Sequence, residues 1–192
     1  MENPQKEKLT YTYEEYLQIE AESEERLEYH FGEVFALAGS SKRHNILTNR
    51  AYTALSEALE GKACQVFTMD IKAEIIPRGK YLYPDLILTC DKDDLADEEE
   101  MLVRNPILIV EVLSKSTEAR DRVEKFKSYI RIPSLQYYLL ISQEEVHVEL
   151  YARQRHDFWH YTSYAALEQR ISFPALDIEL GLEQIYQGSL SN

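Results

Sequence analysis

Only two cysteines, Cys64 and Cys90, occur among the 192 residues. Two are too few and too far apart for a disulfide scaffold or a zinc knuckle, and both sit in apolar stretches, so they are expected as buried thiols. No apolar run approaches the roughly 18 residues that cross a bilayer, so no membrane partner is expected. The N-terminus, Met1-Glu2-Asn3-Pro4-Gln5-Lys6, lacks the basic-then-apolar order of a signal peptide, and a cytoplasmic location is expected. Neither a glycine-rich phosphate cradle nor a Gly-x-Ser-x-Gly elbow occurs, which disfavours P-loop nucleotide hydrolysis and serine hydrolysis. Internal repeats, low-complexity tracts and linkers are absent too. With 44% hydrophobic residues, the chain is expected to form a single domain over 1–192.

Positive charge is scarce as well: 21 Lys and Arg face 34 Asp and Glu, a net charge of −13. Such a balance opposes a polyanionic partner, because nonspecific nucleic-acid affinity comes from cations neutralising phosphates. Position qualifies the sum. Residues 1–28 hold nine acids against three bases, and residues 91–100 hold seven acids against Lys92, so these two segments carry nearly all of the excess. Residues 104–131 instead hold seven bases against four acids. A generally sticky cationic binder is excluded; a local anion site is not.

Periodicity gives the order of elements. Thr12-Tyr13-Glu14-Glu15 is a capping box opening an exposed, polar first helix that runs to Glu25. Residues 27–38 read as a hairpin turned at Gly32, and Ser40-Ser41 caps a second, amphipathic helix stopped by Gly61. Strands follow over 64–67, 70–76 and 81–90, with Pro77-Arg78-Gly79 as a turn and 91–100 as an acidic loop. The near-continuous apolar run 106–113 marks a strand covered on both faces. Ser114-Lys115-Ser116-Thr117 then caps a helix to about Arg131, with Val123, Phe126 and Ile130 facing inward. Strands at 135–141 and 146–152, a further strand beginning at Phe158, and a short helix ending at Tyr186 complete the pattern. A strand–helix–strand unit at 106–141 implies a parallel pair, so the expected fold class is α/β with a mixed central sheet flanked by helices, preceded by an N-terminal helix and hairpin.

Two carboxylates interrupt apolar strands: Asp85, read as mid-strand, and Glu111, near the end of its own. A buried carboxylate is costly unless it is paired or coordinates a metal. Two on neighbouring strands can share one divalent cation, and their hard oxygens suit Mg²⁺ or Mn²⁺. Salt bridges to Lys115 or Arg104 are the simpler alternative.

Pro84-Asp85, followed by an acid ending an apolar strand, is similar to the Asp…Glu-x-Lys arrangement of restriction-endonuclease-like PD-(D/E)XK nucleases. More closely, the chain resembles the Uma-type endonuclease family within that superfamily. The matching segments are Thr12-Tyr13-Glu14-Glu15-Tyr16-Leu17, Glu28-Tyr29-His30-Phe31-Gly32-Glu33-Val34, Arg43-His44-Asn45, Val66-Phe67-Thr68-Met69-Asp70-Ile71-Lys72, Tyr83-Pro84-Asp85, Ile109-Val110-Glu111-Val112-Leu113-Ser114, Asp121-Arg122-Val123-Glu124-Lys125-Phe126 and Tyr137-Tyr138-Leu139, in the family's order over about 10–150. The standard lysine two residues after the glutamate is replaced here by Leu113. Spacing leaves Lys125 and Lys127 open as its substitute; the resemblance, through an Asp-Arg-x-x-Lys pattern, selects Lys125.

The resemblance implies a metal-dependent endonuclease hydrolysing DNA phosphodiester bonds. Asp85, Glu111 and the carbonyl of Val112 would hold Mg²⁺ or Mn²⁺, and Lys125 would orient or activate the attacking water. Lys115, Arg120 and Arg122 are candidate phosphate contacts. Glu33, or Glu28 nearby, could add a carboxylate. His44, opening the second helix, could contact phosphate or water. Asp70, preceding a strand that neighbours Asp85, either supports the site from behind or is simply a turn acid. His147, His156 and His160 show no spacing, and Trp159 with Tyr161 reads as core or dimer contact. A homodimer is expected of a double-strand cutter. The alternatives are a non-catalytic nucleic-acid-binding or dimerisation module that keeps the nuclease fold, and a hydrolase of a small phosphodiester.

Overall fold

The computed structural model describes residues 10–37, 39–115, 117–155 and 158–188. The hairpin's last expected residue, Ala38, together with Ser116, His156 and the N-terminal 1–9, lies outside the described residues.

Helix α1 (Tyr13–Glu22) begins at the expected capping box: the Glu15 amide donates to Thr12 Oγ1 and the Thr12 amide to Glu15 Oε2. The helix is not solvated all round. Tyr16 is fully buried and stacks on Tyr29 at 4.9 Å, while Tyr13 stacks on Tyr81 at 5.2 Å. Tyrosines, not an aliphatic stripe, dock this helix, so its composition concealed the buried face. Strands β1 (Leu27–His30) and β2 (Glu33–Ala36) form the hairpin. Phe31 and Gly32 both have positive φ, 49° and 103°, the twist that a two-residue hairpin turn needs.

Helix α2 (Lys42–Ala58) is capped by Ser41, whose hydroxyl accepts the His44 amide at 3.1 Å. It buries Leu47, Ala51, Ala54 and Leu55. Strands β3 (Gln65–Thr68), β4 (Lys72–Ile76), β5 (Lys80–Leu82) and β6 (Leu86–Thr89) follow. The expected continuous strand 81–90 is thus two strands, and they belong to different sheets. Pro84 has no N–H and disfavours helical or regular ladder geometry around it, so the chain leaves one sheet at Tyr83 and enters the other at Leu86.

After β7 (Leu102–Val103) comes β8 (Pro106–Leu113), then a short α3 (Glu118–Arg120), a π-helical turn (Asp121–Lys125) and α4 (Phe126–Tyr129). Strands β9 (Tyr137–Ser142), β10 (Val148–Arg155), β11 (Phe158–Tyr164), β12 (Arg170–Phe173) and β13 (Ile178–Gly181) precede α5 (Leu182–Tyr186). The β12–β13 hairpin was not expected.

A six-stranded mixed sheet, ordered β11-β10-β9-β8-β6-β3, is joined by a five-stranded sheet, β2-β1-β5-β4-β7. Strands β8 and β9 are parallel, as the crossover requires. Alternation along β8 sends Leu108, Val110 and Val112 to a core under α2, the C-terminal hairpin and α5. Ile109 and Leu113 go to a second core shared with Ala73, Ile75 and Leu82 of the other sheet and Tyr129 of α4. Covering on both faces explains the apolar run. Glu111 lies on the second side, between the sheets.

Cys64 and Cys90 are not free thiols: they form a disulfide. The β3–β6 ladder pairs Gln65 with Thr89, so the next pair outward is Cys64 and Cys90, 4.1 Å apart at Cα. Separation along the chain hid a cross-strand pair. The acidic loop also has one structural acid: buried Asp94 accepts hydrogen bonds from Thr89 Oγ1 and the amides of Arg104 and Asn105. No helix among the described residues is long and apolar enough to cross a membrane.

Candidate metal centre

Asp85 sits where the chain crosses between sheets. Strand β6 pairs with β8 through Leu86 opposite Val110, and one step further the same antiparallel register sets Asp85 against Glu111. Asp85 Oδ2 accepts the Val112 amide at 2.7 Å and lies 3.0 Å from His44 Nε2. Its carbonyl accepts the Met69 amide at 3.1 Å, and the preceding Tyr83 donates its hydroxyl to Glu20 at 2.8 Å. Both neighbours anchor the crossing.

Glu111 is almost completely buried. Its Oε1 accepts two hydrogen bonds, from Lys125 Nζ at 2.7 Å and from the Tyr129 hydroxyl at 2.8 Å. Lys125 also lies 3.5 Å from Asp121 Oδ1. Asp121, Lys125 and Tyr129 are four residues apart in turn, so they line one helical face, and that face is turned inward. The expected stripe was the opposite one: Val123 is 49% exposed, and only Phe126, against Tyr151 and Trp159, packs as foreseen. The π turn falls within the segment that presents these charges. Lys127, the other lysine left open by spacing, is exposed.

Burial pushes the Glu111 carboxyl up to about 8, with Asp85 and Asp121 adding to the rise and Lys125 opposing it. Burial raises Asp121 as well. For Lys125, burial disfavours the charge, but Glu111, Asp121, Glu28 and Asp85 outweigh it and hold the ammonium above its ordinary value. A fourth carboxylate, Glu28 of β1, is fully buried; burial raises it, yet His30, Lys125 and Arg120 hold it at about 2. Its oxygens take the Tyr83 amide at 3.3 Å and the Arg120 guanidinium.

The expected residues therefore separate into two groups. Asp85, Glu111, Val112, Lys125 and His44 come together. Glu33 does not join them: cross-strand pairing puts it on the same sheet face as Glu28, but at the exposed hairpin end opposite His30. Glu28 is the hairpin acid that reaches the cluster. The three expected phosphate contacts all face carboxylates: Lys115 is 81% exposed and 3.1 Å from Glu144, Arg120 pairs with Glu28, and Arg122 is held by Glu118 and Glu149, each at 2.7 Å. Asp70 is an exposed turn acid 3.8 Å from Arg26. Tyr129 and the inward-facing Asp121 were missed as members of the cluster; their spacing from Lys125 on one helix face was the available signal.

The donor set bears on whether a cation fits. Among the described residues no three His, Cys, Asp or Glu side chains gather as a metal site. Two carboxylates and a main-chain carbonyl are nonetheless the kind of hard, partial set that Mg²⁺ accepts while keeping several waters. With Glu28 matched by Arg120, the acids Asp85, Glu111 and Asp121 surround one ammonium, an excess of two negative charges when all are ionised. The charge fits one divalent cation.

The model of the Uma2 family, described as "Putative restriction endonuclease", matches residues 13–183. Two proteins of Synechocystis sp., both described as uncharacterized, are similar: one is 36% identical over 91% of this chain and 90% of its own length, the other 35% identical over 87% and 94%. A solved structure from Anabaena variabilis, described as "a putative nuclease belonging to DUF820", superposes with a TM-score of 0.75 at 15% identity, covering 94% of this chain and 99% of that one. The shared architecture is a restriction-endonuclease-like mixed α/β fold. The chain belongs to the Uma2 family of "Putative restriction endonuclease" proteins.

Proposed function

We propose that the protein is a divalent-metal-dependent endonuclease that hydrolyses phosphodiester bonds in DNA, acting in the cytoplasm as a homodimer. The observation that carries the reading is Asp85, just beyond the β6–β8 ladder, bonded at 2.7 Å to the amide that follows Glu111, with the Lys125 ammonium 2.7 Å from Glu111. Asp85, Glu111 and the Val112 carbonyl are the ligand set. In an extended strand the N–H and C=O of one residue project to the same edge, and the Val112 amide already meets Asp85, which supports its carbonyl as the third donor.

Bound Mg²⁺ or Mn²⁺ supplies a Lewis acid that lowers the pKa of water and offsets charge on the attacked phosphate. Lys125, charged and buried, orients the attacking water and stabilises negative charge developing beside it. His44 holds Asp85 Oδ2 in place and lies at the first turn of α2, where main-chain amides favour a phosphate oxygen. Arg120 and Arg122 reach phosphate only by exchanging their carboxylate partners, whereas the exposed Lys115 needs only to leave a surface pair. Affinity for DNA is accordingly weak and sensitive to salt.

A second reading has its own support. Lys125 and Tyr129 already satisfy Glu111 Oε1, as they would in a non-catalytic module that kept the fold and binds DNA without an ion. Incubation of purified protein with plasmid and single-stranded DNA, with Mg²⁺ or Mn²⁺, separates them. Cleavage that disappears in Asp85→Ala and Glu111→Ala supports the nuclease. DNA binding that is independent of both ion and carboxylates, without cleavage, overturns it.

A further inference from the structure

Glu111 has one oxygen with two donors and a second, Oε2, to which no hydrogen bond runs among the described residues. One of those donors, Lys125, belongs to the proposed chemistry. The other, Tyr129, comes from the next turn of the same helix and has no part in it so far. Its hydroxyl is fully buried, and its ring packs 5.3 Å from Tyr138 in the core between the sheets. A phenol hydroxyl facing a carboxylate oxygen at 2.8 Å can only donate to it.

We infer that Tyr129 is a positioning residue for the metal centre: its hydroxyl clamps Glu111 Oε1 and thereby aims Oε2 at the cation. The inference rests on the reading of Asp85 and Glu111 as metal ligands. A carboxylate on a freely rotating ethylene stem can present either oxygen, or both. Two donors converging on one oxygen from a rigid helix remove that freedom, and hydrogen-bonded partners of this kind commonly contribute 10- to 100-fold to metal affinity. Lys125 alone does not suffice, because a flexible ammonium shared with Asp121 can follow the carboxylate as it turns.

Tyr129→Phe removes only the hydroxyl and keeps the ring packing. Titration of the DNA-free protein with Mn²⁺, followed by electron paramagnetic resonance of the free ion, measures affinity without reference to cleavage. The expected result is a roughly tenfold or greater loss in Tyr129→Phe. Tyr138→Phe, which removes a buried hydroxyl donating to the Asp121 carbonyl at 3.0 Å, is expected to change affinity less than twofold. A parent that binds Mn²⁺ through Asp85 while Tyr129→Phe binds equally tightly overturns the assignment alone. A parent with no Asp85-dependent Mn²⁺ binding overturns the metal-centre reading, and the assignment with it. Should Tyr129→Phe fail to fold, ¹³C at the Tyr129 ring carbon bearing the hydroxyl reports in the parent: its resonance is expected to shift with Mg²⁺ at the midpoint of metal binding, and an unmoved resonance overturns the assignment.

Discussion

The main-chain amide of Val112 donates to the Asp85 carboxylate at 2.7 Å, so the residue that follows one candidate ligand holds the other. The two carboxylates are therefore not independently placed. Glu111 is fixed by the β8 ladder to its parallel partner β9, and Asp85 is fixed to β8 by a side chain where the β6 ladder has ended. Tying the Asp85 side chain to the amide of a central strand keeps its spacing better than a free loop position would.

Lys125→Met and Lys127→Met are expected to differ sharply. The first removes a buried ammonium from the reacting region and should lower cleavage by about 100-fold or more. Burial already favours the protonated Glu111 carboxyl, so no charge is stranded, which keeps the stability loss below the roughly 3–5 kcal/mol of an unpaired buried charge. The second changes an exposed residue and should leave both cleavage and stability, within about 0.5 kcal/mol, as they were. Equal effects in a cleavage assay and denaturant unfolding would contradict the placement of Lys125.

Metal affinity should rise with pH. Glu111 is held up to about 8 by burial, against an ordinary value of 4.5. The metal-free folded state thus keeps a proton that the unfolded chain releases above pH 4.5; the associated stability is present below that pH and is lost as pH rises through 8. A cation must displace this proton, so Mn²⁺ binding should strengthen by up to about tenfold per pH unit between 6 and 8, then level off. Titration at three pH values tests this, and a flat affinity refutes it.

Glu28 should dominate the acid limb of stability. Its carboxyl is held at about 2, because His30, Lys125 and Arg120 overcome its burial. Stability from this group is present above pH 4.5 and lost as pH falls through 2, a contribution of about 3 kcal/mol. Glu28→Gln should be less stable at pH 7 by that order and show a flatter decline in acid; an unchanged acid limb in urea titrations would remove Glu28 from this role.

Reduction of Cys64–Cys90 should weaken the fold without altering chemistry. The bridge closes a span of 26 residues, for which loop-closure entropy gives about 3.5 kcal/mol. It sits at the end of the β3–β6 ladder away from Asp85. Cys64→Ser is expected to lower the melting temperature and to cleave DNA at the parental rate, compared below both transitions.

Periodicity alone was enough for most elements, because capping boxes, glycine stops and the doubly covered strand β8 are local signals. Elements governed by distant partners were not legible. The break at Pro84 looked like a continuous strand because Leu82 and Leu86 are both buried, in different cores. The helix after β8 was read with its apolar stripe inward; the structure turns Asp121 and Lys125 inward instead, since buried carboxylates outbid Val123 for that face. The resemblance named Asp85, Glu111 and Lys125, and the structure brings these three together. Of the two hairpin acids, Glu28 reaches the cluster because it lies deep along β1, while Glu33, on the same face, sits at the exposed hairpin end, and Tyr129 was concealed among fourteen tyrosines.

Because the chain changes sheets at Pro84, the position of Asp85 depends on both sheets. Strand β5 pairs with β1 and β4, and β6 with β3 and β8, and between them the carboxylate meets the Val112 amide 27 residues away. Such a contact demands long loop closures that are rewarded late. If the site binds a cation as proposed, a metal-binding signal would report this long-range assembly, where helical content would report only local structure.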